Sequence, residues 1–226
     1  MKVQRPADQR GRTTHGDRTR LCTFSSGDFH DPDWLGFGAL RQLNEEHLPP
    51  GATVPAQRVA NMELLVLVLD GVLGRDGAAL EAGALAWTGA GHASDTPVET
   101  AGAEGARVLR IAIQPDRVNL SPATGVMRVA GDAGWTLLAA PDGAAGSLPI
   151  RQQAGLHHAR IAPGARLGLT LDATQRHWLQ VLRGGVTLDG QTLAAGDALG
   201  WHAETVVTGL VATHDGAELL LITLPG

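Results

Sequence analysis

Residues 48–71 read LPPGATVPAQRVANMELLVLVLDG, and much of this stretch recurs later in the chain. At an offset of 113 residues, LPPGA (48–52) aligns with IAPGA (161–165), and VLDG (68–71) aligns with VLRG (181–184). Between residues 50 and 83, 12 of 34 positions are identical to their counterparts. Chance would give about three in a chain of this composition. The chain is therefore a duplication of one unit.

Each copy of the unit consists of short apolar runs separated by turn residues. A Pro-Gly turn leads to a Val- and Leu-rich run that ends at Gly, then to an Asp-Gly pair, and then to a run ending at Trp. Asp-Gly between apolar runs is typical of a β-hairpin. No long segment keeps a 3.6-residue apolar period, so we expect at most one short helix, near 34–40 or in the linker. The pattern predicts an all-β fold of antiparallel barrels or sandwiches.

The duplication also predicts the domain boundaries. With 226 residues, the chain is long enough for two small domains, each with its own core. We place a first barrel with an N-terminal extension at residues 1–118 and a second barrel at residues 135–226. Residues 119–134 between them are polar, contain Gly and Pro, and are predicted to be a linker.

Composition narrows the classes of partner. The net charge of −5 gives no basic footprint for nucleic acid. The longest apolar run, LLVLVL (64–69), falls far short of the roughly 20 residues of a membrane span. The first 20 residues are basic and polar, unlike a secretory signal. We expect a cytoplasmic protein, and a monomer because closed barrels bury their strand edges. Cys22 is the only cysteine, either a buried apolar residue or a redox sensor.

The repeated unit resembles the cupin barrel. The first cupin motif runs Gly, five residues, His-x-His, three or four residues, Glu, about six residues, Gly. Here Gly51, Glu63 and Gly71 stand in that register, but Gln57 and Val59 occupy the histidine positions. Alternate residues of a strand share one face, which is why the two imidazoles can bind a single ion. An amide is a weak ligand and an isopropyl group is none.

The second motif should supply a third histidine within WTGAGHASDTPVE (87–99). That position falls on Ser94 or Thr96, depending on the gap, and His92 comes two to four residues early. His92 is either a displaced ligand or a loop histidine. Glu63 is either a surviving ligand or a strand carboxylate bonded to arginine or backbone N–H groups. A lone carboxylate does not hold a transition metal, which needs three or four protein ligands.

The second copy offers no recognisable ligand set. The offset places three residues at the ligand positions, namely Thr170, Asp172 and Arg176. His177 follows on the opposite strand face, and the adjacent His157 and His158 also face opposite ways. We therefore expect no metal in the second barrel.

The whole chain resembles the pirins, a family of tandem cupins. The stretch CTFSSGDFHDPDWLGFGALRQLNEEHLPPG (22–51) is similar to the pirin entry segment. The matching residues are Phe24, Asp31, Pro32, Phe37, Gly38, Leu40, Arg41, Asn44 and Gly51. The stretches at 43–52, 146–161 and 219–226 are most similar to the metal-free YhaK-type subgroup. The resemblance implies two cupin barrels in tandem, each a jelly roll also called a double-stranded β-helix.

The resemblance also implies where a metal would bind. Pirins typically bind iron or another divalent metal in the first barrel through three histidines and a glutamate. Those positions fall on Gln57, Val59, Thr96 and Val98, and this sequence departs from the pattern at all four. Glu63 matches a family carboxylate that is not a ligand.

Two functional hypotheses follow. In the first, the protein has lost its metal, has no cofactor and no catalytic residue, and binds a small apolar ligand, binds a partner, or senses stress or redox state. Its pocket would carry Gln57, Val59, Thr96 and Val98, with Glu63, His92 and Ser94 as neighbours. In the second, it is a quercetin 2,3-dioxygenase-like enzyme, and one divalent Fe, Ni, Cu or Zn ion binds a rearranged site in the first barrel.

Overall fold

The duplication is visible in the computed structural model, which describes residues 1–129 and 134–226. The chain forms two units. Of the described residues, the first barrel comprises 11–129 and 142–152, and the second barrel comprises 1–10, 134–141 and 153–226. The prediction of an all-β chain of two cupin barrels in tandem is confirmed. The described residues contain no helix that is long and apolar enough to cross a membrane.

The strands follow one another along the chain with two 3-10 helices, Ala7–Gln9 and Ala144–Gly146. They are β1 Lys2–Arg5, β2 Gly11–His15, β3 Arg18–Cys22, β4 Leu40–Leu48, β5 Thr53–Val54, β6 Arg58–Val59, β7 Glu63–Arg75, β8 Ala78–Glu81, β9 Ala84–Gly89, β10 Ser94–Asp95, β11 Glu99–Ile113, β12 Ala123–Arg128, β13 Thr136–Pro141, β14 Leu148–Ile150, β15 Gly155–Ile161, β16 Arg166–Leu171, β17 Gln175–Leu188, β18 Gln191–Ala194, β19 Ala198–His202 and β20 Val206–Pro225.

The first barrel is built on a sheet in the order β12-β9-β7-β11-β4-β3-β2, with β5 and β8 added to β11 and β7. A separate pair, β6 and β10, lies beside it. The central strands β7 and β11 are long, and their Val-, Leu- and Ile-rich stretches bury side chains of both strand faces. Their inward side chains form a core with those of β4 and β9 that includes Leu48, Val66, Val68, Ala86 and Val108.

The second barrel repeats this plan. Its sheet runs β1-β19-β17-β20-β15-β13, with β16 paired to β20 and β18 paired to β17. Each side of β20 is occupied, since β17 and β15 both pair with it in antiparallel register. The core includes Leu179, Val181, Leu199, Leu210 and Leu219, all of them buried.

The two Asp-Gly pairs adopt the same turn in both barrels. Asp76 and Gly77 have φ values of 49° and 78°, and Asp189 and Gly190 have values of 49° and 80°. Positive φ at both central residues is the hallmark of a type I′ hairpin turn, which Asp-Gly favours. The hairpins β7–β8 and β17–β18 therefore form as the sequence predicts.

Three local features differ from the sequence expectation. Residues 34–40 form turns and a bridge between Phe37 and Leu40, and no helix. Within the predicted linker, 123–128 form strand β12 paired with β9, whereas 130–133 lie outside the described residues. The first residues form β1, which pairs with β19 of the second barrel. Short, polar edge strands gain their stability from the neighbouring strand, so their own composition gives little signal.

Candidate ligand-binding sites

The first barrel encloses a cavity of about 530 Å³. Apolar side chains form part of its wall, among them Val54, Met62, Leu64, Val66 and Ile111. Charged and polar side chains form the remainder. A cavity of this size and mixed lining is typical of a small-molecule site.

Three of the four positions implied by the family resemblance reach this cavity. Gln57, Val59 and Thr96 line it. Strands β6 and β10 hold them there, because Val59 pairs directly with Ser94 in the short two-stranded sheet. Val98 lies outside the described lining and is 53% exposed. The structure thus brings an amide, an isopropyl group and a hydroxyl together, and leaves the fourth position facing solvent.

The predicted neighbours lie in other environments. Glu63 is buried and accepts hydrogen bonds from Trp87 Nε1 at 2.8 Å and from Arg151 N and Nε at 3.1 and 3.0 Å. His92 is exposed, with Nδ1 3.2 Å from the Leu120 carbonyl oxygen. Neither lies among the described residues that line the cavity.

The remaining two candidates are Ser94 and Cys22. Ser94 lies on β10 opposite Val59, and its hydroxyl oxygen is buried without a partner among the described residues. Cys22, the redox candidate, is fully buried on β3 opposite Asn44. Its burial fits the alternative of a small apolar residue in the core.

The cavity wall carries a chain of ion pairs that the sequence did not reveal. Arg75 Nη1 lies 2.9 Å from Glu99 Oε1, and Arg110 Nη2 lies 2.7 Å from Glu99 Oε2. Arg110 Nε also lies 2.6 Å from Glu46 Oε2, while Arg20 Nε lies 2.6 Å from Glu46 Oε1. Three guanidinium groups therefore share two buried carboxylates.

The pKa values of the groups in this ion-pair network follow from their burial and their pairing. Burial by itself would raise the pKa of Glu46, but the charges and hydrogen bonds of Arg110 and Arg20 lower it below its ordinary value. Burial would lower the pKa of Arg110, but Glu46 and Glu99 raise it. Arg75 behaves differently, because burial lowers its pKa despite the opposing charge of Glu99. Burial thus outweighs pairing at Arg75, whereas pairing outweighs burial at Arg110.

A signal for this network was present in the sequence. Arg110 interrupts the apolar run VLRIAI (108–113), and an arginine inside an otherwise buried strand requires a partner. Its partner could not be named from the sequence, because Glu46 lies 64 residues away on β4. Only the order of strands in the sheet brings the two together.

The second barrel encloses its own cavity of about 590 Å³. His157, Thr170, Asp172 and His177 line it, so the two histidines treated as unrelated in the sequence face one space. Arg176, the third position given by the offset, is not among the described lining residues. His158 points elsewhere and is buried against Glu218, with Nε2 and Oε1 2.8 Å apart.

Metal-binding side chains do not converge in either cavity. In residues 1–129 and 134–226, no three His, Cys, Asp or Glu side chains are grouped closely enough to hold an ion. The first cavity contains His15 and Glu99, but Glu99 is already engaged by two arginines.

Known proteins share this fold and sequence pattern. Residues 137–224 match the quercetinase C-terminal cupin domain. The chain is 30% identical over 199 residues to the pirin-like protein YhaK of Escherichia coli (strain K12), covering 81% of both. It is 28% identical over 234 residues to quercetin 2,3-dioxygenase of the same strain, covering 100% of this chain and 99% of the relative.

Solved structures of bacterial pirins have the same fold as this chain. The bacterial pirin YhhW in complex with nickel(II) from Escherichia coli superposes with a TM-score of 0.91 at 27% identity, over 100% of this chain and 99% of that one. YhaK from Escherichia coli superposes with a TM-score of 0.71 at 26% identity, over 92% and 94% of the two chains.

Proposed function

The chain belongs to the pirin family of tandem cupins, and we propose that its first barrel binds a small organic anion without the family's three-histidine metal site. The ligand has an apolar body that packs on the aliphatic wall and an acidic group that meets the arginines. The observation that carries this proposal is the excess of positive charge among the residues that line the cavity.

The charges around the cavity do not balance. Its described lining contains four arginines, Arg18, Arg20, Arg75 and Arg110, but a single carboxylate, Glu99. Glu46 behind the wall supplies a second negative charge. Among these six residues two positive charges remain in excess, in a protein whose net charge is −5. Arginine matches the planar geometry of a carboxylate better than any other side chain, so a carboxylate or similar anion is the expected complement.

The donor set argues against the metal. Carried over from the resemblance, the ligand positions hold Gln57, Val59, Thr96 and Val98, none of which is a histidine or a carboxylate. Transition metals prefer imidazole, thiolate and carboxylate ligands and need at least three of them from the protein. The residues present do not fit such an ion.

A second candidate function is flavonol oxygenation. It is favoured by the similarity to quercetin 2,3-dioxygenase of Escherichia coli, which extends over the full chain. This function would require a rearranged metal site, for instance one that includes Glu63 and His92. Both oxygens of Glu63 already accept hydrogen bonds from Trp87 or Arg151, and His92 is exposed. We therefore rank it second.

A pair of matched probes tests the anion proposal. Benzoate and benzamide have the same shape but differ in charge, and we expect benzoate to bind at least tenfold more tightly by isothermal titration calorimetry. Val59→Phe, which fills the cavity from β6, should abolish benzoate binding. Val98→Phe places the same side chain on the exposed position and should leave it unchanged.

Equal affinity for the two probes, or no benzoate binding at millimolar concentration, would refute the anion site. The oxygenase alternative is tested separately on the purified wild-type protein. A stoichiometric, chelator-sensitive metal together with quercetin turnover would replace our proposal with that one.

A further inference from the structure

The second barrel contains a polar cluster that the proposed function does not use. Strand β20 lies between β15 and β17, and it places His157 opposite Leu221 and His177 opposite Thr223. Residues 221 and 223 share one strand face, so both histidines project to the same side of the sheet. Both line the cavity of about 590 Å³.

A glycine lets the two imidazoles approach each other. Gly155 precedes His157 by two residues on β15 and lies opposite Thr223, in the same row as His177. The imidazole of His157 leans over it, because a Cβ added to Gly155 would lie 2.9 Å from His157 Cε1. The ring of His157 is thereby carried toward Thr223 and His177.

His157 keeps an unused hydrogen-bond acceptor. Burial lowers the pKa of His157, and the neighbouring His177 lowers it as well, although a backbone hydrogen bond at Leu221 acts in the opposite direction. The ring is therefore neutral at pH 7. A neutral imidazole has one N–H and one lone pair. Nδ1 of His157 is buried and has no hydrogen-bond partner among the described residues. A buried polar atom without a partner is costly, unless a ligand or water supplies one.

His177 and Thr223 complete a polar row beside this acceptor. His177 Nδ1 lies 3.2 Å from Thr223 Oγ1, and its Nε2 lies 3.1 Å from the Asp172 carbonyl oxygen. Burial lowers the pKa of His177 as well, although the Asp172 backbone and charge act against it. His177 is thus held by the protein at both nitrogens, whereas the buried Nδ1 of His157, a residue that lines the same cavity, has no partner among the described residues.

The charge of the cavity excludes anions. No arginine or lysine is found among its described lining residues, and its one formal charge is the carboxylate of Asp172. Hydrogen bonds from Thr174 lower the pKa of Asp172, which keeps the carboxylate ionised. Two histidines are also too few protein ligands for a transition metal.

Part of the remaining wall is apolar, beside the polar side chains of Thr170, Gln175 and Thr205. Leu169, Leu171 and Leu221 are buried there, and Trp135 lines the same space. The indole N–H of Trp135 donates to the Gly168 carbonyl oxygen at 2.9 Å, so this indole offers the cavity an apolar surface. A flat apolar group fits these walls better than a hydrated cation does.

We propose that the second barrel binds a small uncharged aromatic molecule whose hydroxyl group donates a hydrogen bond to His157 Nδ1. Its ring packs against Trp135 and the leucines, and its oxygen lies beside the hydroxyl of Thr223. This site is independent of the anion site of the first barrel, because it consists of different residues and selects an uncharged ligand.

Phenol and anisole test this proposal on the wild-type protein, since they differ by the methyl group that removes the donor. We expect phenol to bind at least tenfold more tightly than anisole and to shift the His157 ring signals in the NMR spectrum. Equal binding of the two, no phenol binding, or tighter binding of benzylamine than of phenol would overturn the proposal.

Variants locate the site. His157→Phe removes the acceptor while keeping a ring, and Gly155→Ala displaces the imidazole; each should weaken phenol binding at least tenfold. His214→Phe is the matched control, because His214 is exposed and paired with Asp215. Unchanged phenol affinity in a folded His157→Phe protein would refute the role of Nδ1. The comparison of phenol with anisole on the wild type decides the matter if the variants do not fold.

Discussion

Gln57 and Thr96 hold each other through two hydrogen bonds. The Gln57 N–H donates to Thr96 Oγ1 at 2.9 Å, and the Thr96 N–H donates to the Gln57 carbonyl oxygen at 2.9 Å. Two positions that the family resemblance assigns to metal-binding histidines are thus adjacent, joined by one backbone hydrogen bond and one to the Thr96 hydroxyl. Neither an amide nor a hydroxyl is a preferred ligand of a transition metal, but both positions lie on the cavity wall.

Imidazoles introduced at these positions should therefore create a metal site. The triple variant Gln57→His, Val59→His, Thr96→His places three imidazoles on one cavity wall, a ligand number found in catalytic zinc sites. We expect it to bind Ni²⁺ with micromolar or tighter affinity in calorimetry, whereas the wild type shows no specific binding.

The control for this experiment is Val98→His. Val98 is exposed and lies outside the described cavity lining, so a single histidine there should give no site. A triple variant that folds but binds no more Ni²⁺ than the wild type would show that the three positions do not converge as described.

The fold could be predicted because the repeat contains residues with strict backbone requirements. Asp-Gly at 76–77 and 189–190 specifies a turn with two positive φ values, and the structure has both turns. The Val- and Leu-rich runs between these turns then predict buried strands. Such local signals do not depend on which strands become neighbours.

The contents of the two cavities depend on strand order, which local signals do not give. Arg110 and Glu46 meet because β11 pairs with β4, and His157 and His177 meet because β20 lies between β15 and β17. The positions taken from the family resemblance could be named from the sequence alone, because alignment with a known motif does not require knowledge of the strand order. Whether they form a ligand site stays a prediction.

Glu63 should prove structural. Its carboxylate accepts three hydrogen bonds from Trp87 and Arg151 and is almost fully buried. Glu63→Gln removes the charge and turns an amide N–H₂ toward these donors, so we expect a loss of roughly 3 kcal/mol in the free energy of unfolding. Urea denaturation followed by circular dichroism measures it.

The matched control for Glu63 is Glu81→Gln. Glu81 Oε2 lies 3.0 Å from Arg128 Nη1, but both side chains are about two-thirds exposed. Exposed pairs contribute little, so we expect a change below about 0.5 kcal/mol. Similar losses in the two variants would mean that burial does not distinguish them.

Gly71 and Gly51 have nearly the same backbone conformation but differ in the space available for a side chain. Their φ values are 72° and 70°, but a Cβ on Gly71 would lie 2.2 Å from the Gly105 carbonyl oxygen, whereas a Cβ on Gly51 would meet nothing within 4 Å. An alanine in this conformation costs about 1–2 kcal/mol. We expect Gly51→Ala to lose about that amount, and Gly71→Ala to lose more than about 3 kcal/mol, because the backbone of β7 and β11 must also separate. Equal losses in urea denaturation would contradict the close approach.

The stability of the second barrel should fall in acid because of Glu218. Burial alone would raise the pKa of this carboxyl, but the hydrogen bond with His158 and the charge of Arg160 lower it from 4.5 to about 2. The folded state therefore favours the ionised form, and this contribution is complete above about pH 5 and disappears as the pH falls toward 2. At 1.36 kcal/mol per pH unit, it amounts to roughly 3 kcal/mol.

The variant Glu218→Gln isolates this contribution. Its free energy of unfolding should lie below that of the wild type by roughly 3 kcal/mol at pH 7, and the difference should shrink to near zero at about pH 2. Asp215→Asn provides the control, because Asp215 is exposed and pairs with the exposed His214, so its curve should follow the wild type at every pH. Urea denaturation from pH 7 down to the lowest pH at which the protein folds gives both curves. A difference between wild type and Glu218→Gln that stays constant across this range would mean that the Glu218 carboxyl titrates normally, and that His158, Arg160 and Arg183 do not stabilise its charge.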